Sequence, residues 1–160
     1  MQSLLPLAGE VAGLLKERGE TIAVGESSTG GLLAAALLAI PGASAYFLGG
    51  AVVYTARARS GLLGITAEQM GSLRAASEPY AALVAQRIRE LTGADWGLAE
   101  TGATGPTGNR YGDPAGHTCI ALAGRQTRSL TFRTGSSDRE QNMRRFAERA
   151  LLTLKEALRA

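Results

Sequence analysis

The chain has 160 residues, of which 45% are hydrophobic and 19% are charged, a composition that suits one globular domain with a buried core. Its longest apolar run, residues 32–40, is too short to span a bilayer, and no signal-peptide pattern opens the chain, so we expect no membrane partner and a cytoplasmic location. The net charge is +3, but the densest basic region, residues 125–149, also contains acidic residues and forms no patch with interleaved aromatics, which argues against a nucleic-acid partner.

Hydrophobic periodicity and turn residues divide the chain into helices and strands. In chain order, they predict a helix over residues 4–18, a strand over 21–24, a helix ending at 40, a strand over 47–55, short helices over 56–63 and after Thr66, a helix over 79–91, strands over 95–101, 117–123 and 129–133, and a last helix from 138 to about 158. Ser28 or Thr29 is expected to cap the helix that ends at residue 40.

The alternation of helices and strands predicts a three-layer α/β/α fold with helices on both faces of the sheet. The last two predicted strands are separated by only a short turn, which favours an antiparallel pair and therefore a mixed sheet. We expect a mixed, mostly parallel sheet of about five strands in a single domain over residues 1–160.

The segment Gly25 to Gly31 joins a predicted strand to a predicted helix, where backbone N–H groups can bind an anion or stabilise an oxyanion. Within it, Ser27 has two interpretations: a helix cap, which is common for serine, or a nucleophile. Three successive hydroxyls are more than one cap needs. The turn lacks the Gly-x-Ser-x-Gly pattern of α/β-hydrolases, and His117 is the only histidine. Glu26 is expected to orient a hydroxyl or to accept backbone N–H groups.

A second glycine-rich segment, Glu100 to Gly108, also follows a predicted strand. Glycines let the backbone approach a ligand closely, although neither a P-loop nor a dinucleotide-binding pattern is present. The segment is either a flexible surface loop or one half of a ligand site shared with the Gly25 to Gly31 turn, because both follow strands of one sheet. Glu100 is expected to contact a ribose or pyridinium ring or to be a solvated carboxylate, and Tyr111 is a candidate for stacking on a ring.

Five short motifs follow one another along the chain. They are Glu26-Ser27-Ser28-Thr29-Gly30-Gly31, Val53-Tyr54, Ser77-Glu78-Pro79, Thr101-Gly102-Ala103-Thr104-Gly105-Pro106 and Pro114-Ala115-Gly116. In this order and at these distances, they resemble the C-terminal domain of the competence/damage-inducible CinA family over nearly the whole chain. Stand-alone members of that family include nicotinamide mononucleotide amidases. The chain lacks the molybdopterin-binding-like N-terminal domain of longer members, so we expect the stand-alone form.

The resemblance implies an amidohydrolase that converts nicotinamide mononucleotide to nicotinic acid mononucleotide and ammonia. The family nucleophile is the serine after the glutamate of the first motif, which corresponds to Ser27, and an acyl-serine intermediate is a form of covalent catalysis. Backbone N–H groups at the helix start would hold the oxyanion, and the glycine-rich loop would hold the ribose phosphate or the ring. The substrate-binding residues implied in this way are Glu26, Ser28, Thr29, Gly30, Gly31, Thr101, Gly102, Ala103, Thr104 and Gly105.

The family pattern also has a tyrosine at the end of the second strand and a lysine five residues later, which correspond to Tyr54 and Arg59. Arginine stays protonated in proteins, so Arg59 cannot act as a general base. Three possibilities follow. Tyr54 accepts the proton as a phenolate stabilised by the Arg59 charge, His117 accepts it, or the chain binds a nucleotide with little or no turnover. The first preserves the family geometry, and the catalytic residues expected from it are Ser27, Tyr54 and Arg59.

The sequence offers no group of residues with metal-ligand spacing, and Cys119 is its only cysteine, so we expect no metal, no disulfide and no cofactor. The expected partners are a small nucleotide substrate and, by the resemblance, further copies of the chain in a homo-oligomer. The alternative function is a catalytically weak or inactive nucleotide-binding module of the same family, with a role related to competence or DNA damage.

Overall fold

The computed structural model describes residues 1–160 and consists of a five-stranded sheet between two layers of helices. The elements are α1 (Leu5–Arg18), β1 (Ile22–Glu26), α2 (Leu32–Leu38), β2 (Phe47–Val52), α3 (Ala56–Leu63), α4 (Ala67–Met70), α5 (Glu78–Thr92), β3 (Trp96–Ala103), β4 (His117–Ala123), β5 (Arg128–Arg133) and α6 (Arg139–Arg159). Every predicted helix and strand is present, with ends shifted by a few residues. None of the helices combines the length and the apolar character needed to cross a bilayer.

The strands lie in the order β2-β1-β3-β4-β5. β1 pairs in parallel with both β2 and β3, whereas β4 is antiparallel to β3 and to β5. Four strands therefore run in one direction and only β4 runs in the other, which confirms the mixed, mostly parallel sheet. Glu26 at the end of β1 lies beside Val52 of β2, so the ends of these strands meet at one edge of the sheet.

The two faces of the sheet are covered by different helices. α1, α2 and α6 pack over one face around Trp96 and Leu98, and α3 and α5 pack over the other around Val84. Each fully buried aliphatic side chain of this kind contributes about 1.5–3 kcal/mol. Gly97 of β3 allows α5 to approach closely, since a methyl group at this position would overlap the carbonyl of Ala85.

Local side-chain caps fix the starts of four helices, and at α3 the Thr55 hydroxyl accepts a hydrogen bond from the N–H of Ala58 (3.1 Å). Thr66 forms a capping box at α4, Ser77 accepts a hydrogen bond from the N–H of Tyr80 in α5, and Asp138 accepts one from the N–H of Gln141 in α6. Each is worth about 1 kcal/mol. The predicted starts of α5 and α6 are therefore confirmed, and Asp138 places the next residue of the chain at the first turn of α6.

The strand predicted over residues 95–101 extends further than expected, to Ala103. Gly102 and Ala103 belong to β3, because β4 supplies ladder partners for them in Thr118 and His117. The remaining loop is held together by Asn109, whose side-chain oxygen accepts hydrogen bonds from the following turn. The antiparallel hairpin of β3 and β4 thus places the glycine-rich segment at the same sheet edge as the end of β1.

Candidate active site

A buried carboxylate, Glu26, fixes the turn between β1 and α2. It accepts hydrogen bonds from three backbone N–H groups at the start of α2, those of Gly31 (3.0 Å), Leu33 (3.0 Å) and Ala34 (2.8 Å). The prediction that Ser28 or Thr29 caps α2 is therefore wrong. The Ser28 and Thr29 hydroxyls donate to carboxylates, whereas the Glu26 carboxylate accepts from several N–H groups and its charge favours the positive end of the helix. Burial raises the pKa of Glu26, and the hydrogen bonds from α2 partly counteract this.

The two glycines of the turn have backbone conformations that other residues rarely adopt. Gly30 has a φ of 64°, and Gly31, the residue immediately before α2, has a φ of 99°. This left-handed geometry lets the chain reverse within a few residues, so that the N–H groups of α2 point back to Glu26.

A second buried carboxylate, Glu100 of β3, holds the same turn from the neighbouring strand. It is 1% exposed and accepts hydrogen bonds from the Thr29 N–H (2.9 Å), the Thr118 hydroxyl (2.8 Å), the Ser27 N–H (3.3 Å) and the Ser28 hydroxyl. Glu100 is therefore neither a solvated loop carboxylate nor a residue with oxygens left for a ribose. It positions the turn that contains Ser27.

The three successive hydroxyls of the turn differ in their environment. Ser28 and Thr29 are buried, and their hydroxyls donate to Glu100 and Glu26, respectively. The Ser27 hydroxyl makes no hydrogen bond within the protein and is half-buried at the wall of a cleft. Of the three hydroxyls, that of Ser27 alone is free to react with a ligand.

The same contacts narrow the choice of oxyanion donors within residues 28–31. The N–H of Thr29 donates to Glu100, that of Gly31 donates to Glu26, and that of Gly30 donates to the carbonyl of Ser27. The N–H of Ser28 is the one backbone donor of the predicted set that has no hydrogen-bond partner in the protein.

We call the cleft at Ser27 the serine cleft. It has a volume of about 150 Å³. Its walls are formed by Ser27, Val53, Tyr54, Thr55, Ala56, Arg59, Ala75, Tyr80, Thr101, Arg110 and Tyr111. The structure thus brings the three residues predicted to be catalytic, Ser27, Tyr54 and Arg59, to one cleft. Tyr111, the loop residue predicted to stack on a ring, lines the same cleft.

A second cleft, which we call the loop cleft, adjoins the first at Tyr54. It has a volume of about 290 Å³. Its walls are formed by Tyr54, Gly102, Ala103, Thr104, Gly105, Thr107, Gly108, Asn109 and Arg139. Of the residues predicted to bind substrate, Thr101 lines the serine cleft and four others line the loop cleft. Glu26, Ser28, Thr29, Gly30 and Gly31 line neither.

Arg139 is a residue of the site that sequence reasoning did not assign. It begins α6, and its guanidinium donates to the carbonyl of Gly105 (2.7 Å) and to the hydroxyl oxygen of Tyr54 (3.3 Å). The cation that contacts Tyr54 is therefore Arg139 and not Arg59. Its place directly after the capping residue Asp138 is one signal in the sequence, since helix N-termini are suited to binding anions.

Arg59 and His117 lie in different surroundings. The Arg59 guanidinium lies 5.8 Å from the centroid of the Tyr80 ring, within the serine cleft. His117 is 4% exposed, its Nε2 is 2.9 Å from the carbonyl oxygen of Ala76, and it lines neither cleft. The possibility that His117 accepts the proton from Ser27 is therefore not supported, because the His117 side chain is buried away from the cleft that Ser27 lines.

The charge of the two clefts is entirely positive. Arg59, Arg110 and Arg139 line them without a carboxylate partner, and neither cleft is lined by an aspartate or glutamate. No group of three or more histidine, cysteine, aspartate or glutamate residues is placed to hold a metal ion. A ligand that compensates these charges is anionic.

Comparison with known proteins identifies the family. The family model described as the CinA C-terminal domain matches residues 4–158. The chain belongs to the CinA family. CinA-like proteins of Gloeobacter violaceus and Syntrophus aciditrophicus are 42% and 45% identical to it and cover 92% and 96% of the chain. The matches take up 35% and 37% of those proteins, so this CinA domain spans about a third of the length of the curated relatives it matches.

Solved structures of CinA proteins have the same architecture. The competence-damaged protein (CinA) superfamily protein of Klebsiella pneumoniae superposes with a TM-score of 0.91 at 32% identity, over 98% of each chain. The competence/damage-inducible protein of Agrobacterium tumefaciens gives a TM-score of 0.87 at 30% identity, over 98% of this chain and 96% of that one. The predicted family membership and fold class are therefore confirmed.

Proposed function

We propose that this CinA domain is an amidohydrolase that converts nicotinamide mononucleotide to nicotinic acid mononucleotide and ammonia, with Ser27 as its nucleophile. The main support is that Ser27, alone among three successive hydroxyls, has no hydrogen-bond partner and faces a cleft. The hydroxyls of Ser28 and Thr29 are engaged by buried carboxylates, which hold the turn in place. A nucleophile fixed in this way loses little conformational entropy when the substrate arrives.

The loop cleft suits the ribose phosphate of such a substrate. Gly102 and Gly105 line this cleft, and Arg139 supplies a guanidinium that is not neutralised by a carboxylate. Guanidinium groups bind phosphate with charge-assisted hydrogen bonds, which are about twice as strong as neutral ones. With the phosphate in the loop cleft, the pyridine ring reaches past Tyr54 to the serine cleft, where Tyr111 offers an aromatic surface.

Tyr54 is the proposed proton acceptor, because it lines both clefts and its oxygen accepts a hydrogen bond from Arg139. The proposed acceptor is the Tyr54 phenolate, to which the guanidinium of Arg139 donates a charge-assisted hydrogen bond. Ser27 Oγ attacks the carboxamide carbon as its proton moves to Tyr54, and the N–H of Ser28 donates to the resulting oxyanion. Proton transfer of this type contributes about 10²–10⁴-fold to a rate.

The remaining steps regenerate the enzyme. The bond from carbon to nitrogen breaks, the nitrogen takes the proton from Tyr54, and ammonia leaves an acyl-Ser27 ester. Water then attacks the ester carbon and gives a proton to Tyr54. Ser27 Oγ leaves with that proton, and the nicotinic acid mononucleotide departs as a carboxylate after its acid proton passes to solvent.

The test is ammonia release from nicotinamide mononucleotide, measured with the unmutated protein, Ser27→Ala and Ser60→Ala. Ser60 is an exposed serine of α3 that lines neither cleft and serves as the matched control. Ser27→Ala should reduce the rate by about 10³-fold or more, and Ser60→Ala should leave it unchanged. Equal rates for Ser27→Ala and the unmutated protein would show that Ser27 is not the nucleophile.

A second candidate function is a nucleotide-binding module without turnover. It is favoured by one observation: no lysine, histidine or carboxylate lines the serine cleft, and Arg59 occupies the position of the family lysine. Calorimetric binding of the mononucleotide without ammonia release would support this function. Arg59→Lys distinguishes the two, because a gain of ammonia release in the variant of an inactive parent would identify the parent as a binding module.

A further inference from the structure

The proposed hydrolytic steps leave the two guanidinium groups of the serine cleft, those of Arg59 and Arg110, without a role. We propose that Arg59 forms a carboxylate subsite beside Ser27, which makes the serine cleft bind the acid product more tightly than the amide substrate. This inference rests on the proposed amidohydrolase function. It assigns a specificity-determining role to a residue that cannot act as a base.

The Arg59 side chain has hydrogen-bonding capacity that the protein does not use. Its Nε atom is buried and has no hydrogen-bond partner, and its guanidinium forms no ion pair with any carboxylate. The ring of Tyr80, which is 4% exposed, lies against the guanidinium and limits the orientations it can adopt. A buried N–H donor without a partner is uncommon and is favourable only when a ligand supplies the acceptor.

Arg59 forms no ion pair with the acidic residues behind the turn. Glu26 and Glu100 both lie near Ser27 along the chain or across the sheet, but their oxygens are occupied by donors of the turn and of α2. Arg110 adds a second guanidinium to the same cleft, and its one hydrogen bond is to the Tyr111 hydroxyl. The serine cleft therefore contains two guanidinium groups that no carboxylate of the protein pairs with.

The donor set of a guanidinium separates the acid from the amide. Arginine offers only N–H donors, in a planar fork that matches the two oxygens of a carboxylate. A carboxamide presents one oxygen acceptor, and its NH₂ group would face those donors with donors of its own. Hydrolysis replaces that NH₂ group by an oxygen, so the fork of Arg59 gains an acceptor and an attractive charge in the same step.

The experiment measures binding without turnover. Nicotinamide mononucleotide and nicotinic acid mononucleotide are each titrated by calorimetry into Ser27→Ala, and into the double variants that add Arg59→Gln, Arg59→Lys or Arg57→Gln. Arg57 is an exposed arginine of α3 that lines neither cleft and controls for loss of a positive charge. Thermal unfolding of each variant confirms that it is folded.

The acid should bind about tenfold more tightly than the amide, or more, to Ser27→Ala and to the Arg57→Gln variant. Arg59→Gln should bring this ratio to about one, and Arg59→Lys should give an intermediate ratio, since lysine retains the charge without the fork. Equal affinity for the two ligands in Ser27→Ala, no binding of the acid, or an unchanged ratio in both Arg59 variants would overturn the proposal.

The two proposals fail separately. If the protein with Ser27 intact releases no ammonia but the acid preference is present and depends on Arg59, the subsite stands and the hydrolase function is wrong. If ammonia is released but the ratio of affinities does not respond to Arg59, the hydrolase function stands and the subsite is wrong.

Discussion

Replacing the two buried carboxylates beside Ser27 by their isosteric amides should destabilise the domain to different extents. Both Glu26 and Glu100 are 1% exposed, and both accept several hydrogen bonds. Their donors differ in kind, however. Those of Glu26 are mostly backbone N–H groups, whose direction is fixed by α2, whereas those on one oxygen of Glu100 are hydroxyls, which can rotate.

For Glu26→Gln, no orientation of the amide avoids a conflict. One carboxylate oxygen accepts from the N–H of Ala34, and the other accepts from the N–H groups of Gly31 and Leu33. The least costly orientation turns the new NH₂ group to Ala34, which leaves a buried backbone donor unpaired at a cost of about 1–3 kcal/mol. Loss of the charge weakens the remaining hydrogen bonds. It also removes the free-energy cost of burying a carboxylate, which is what raises the pKa of Glu26. We expect a net loss of about 2–3 kcal/mol.

For Glu100→Gln, one orientation keeps both backbone N–H groups paired. Oε2 accepts from the N–H groups of Thr29 and Ser27, so the amide oxygen can take its place. Oε1 accepts from the hydroxyls of Ser28 and Thr118, which can rotate to accept from the new NH₂ group instead. The expected loss is about 0.5–1 kcal/mol, because charged hydrogen bonds become neutral ones.

The assay is urea unfolding followed by fluorescence of the single tryptophan, Trp96, which is 1% exposed, and by far-ultraviolet circular dichroism. With a slope of about 2 kcal/mol per molar urea, the midpoint of Glu26→Gln should lie about 1 M below that of Glu100→Gln, at an unchanged slope. A Glu100→Gln variant that is as unstable as Glu26→Gln, or a Glu26→Gln variant within about 0.5 kcal/mol of the unmutated protein, would refute this reasoning.

Three further predictions concern packing, pH and substrate binding. Gly97→Ala should lower the free energy of unfolding in urea by about 3 kcal/mol, because the methyl group meets the backbone of α5. The matched variant Gly61→Ala, in open space on α3, should raise it by about 0.5–1 kcal/mol. The hydrogen bond from Arg74 lowers the pKa of Asp113, so its stabilisation is present above the ordinary value of 3.8 and is lost as the pH falls through the lowered value. Asp113→Asn should therefore destabilise by about 1 kcal/mol at pH 7, and urea titrations should show the difference disappearing at pH values below the lowered pKa. Arg139→Gln should raise the KM for nicotinamide mononucleotide by about tenfold or more in the ammonia-release assay, by removing the charge of the loop cleft.

Local interactions explain which helix starts could be predicted from sequence. Ser77 and Asp138 each accept from an N–H group three residues later, so the relevant atoms lie within one short window of sequence. The cap of α2 depends on Glu26, which reaches an N–H group eight residues away. That contact exists only because two left-handed glycines reverse the chain, and no capping pattern of Ser or Thr describes it.

Long-range contacts explain what could not be predicted about the site. The sequence indicates that Ser27 is one of three candidate hydroxyls, but which of them is free depends on Glu100, a residue that lies 72 positions after Ser28. β1 and β3 are neighbours in the sheet although β2 lies between them in the chain. The contact of Arg139 with Tyr54 joins residues 85 positions apart, so the sequence alone paired Tyr54 with the nearer Arg59.

The length of α6 determines how this protein can be attached to a surface. Its 21 residues make an ideal helix about 30 Å long, with Arg139 at one end, in the loop cleft, and Ala160 beyond the other. Ser3, by contrast, lies in the same surface hollow as Asp138, next to the rim of the cleft. A resin, fluorophore or sensor chip coupled through the C-terminus leaves the clefts open to diffusing ligand, whereas coupling through the N-terminus crowds their entrance.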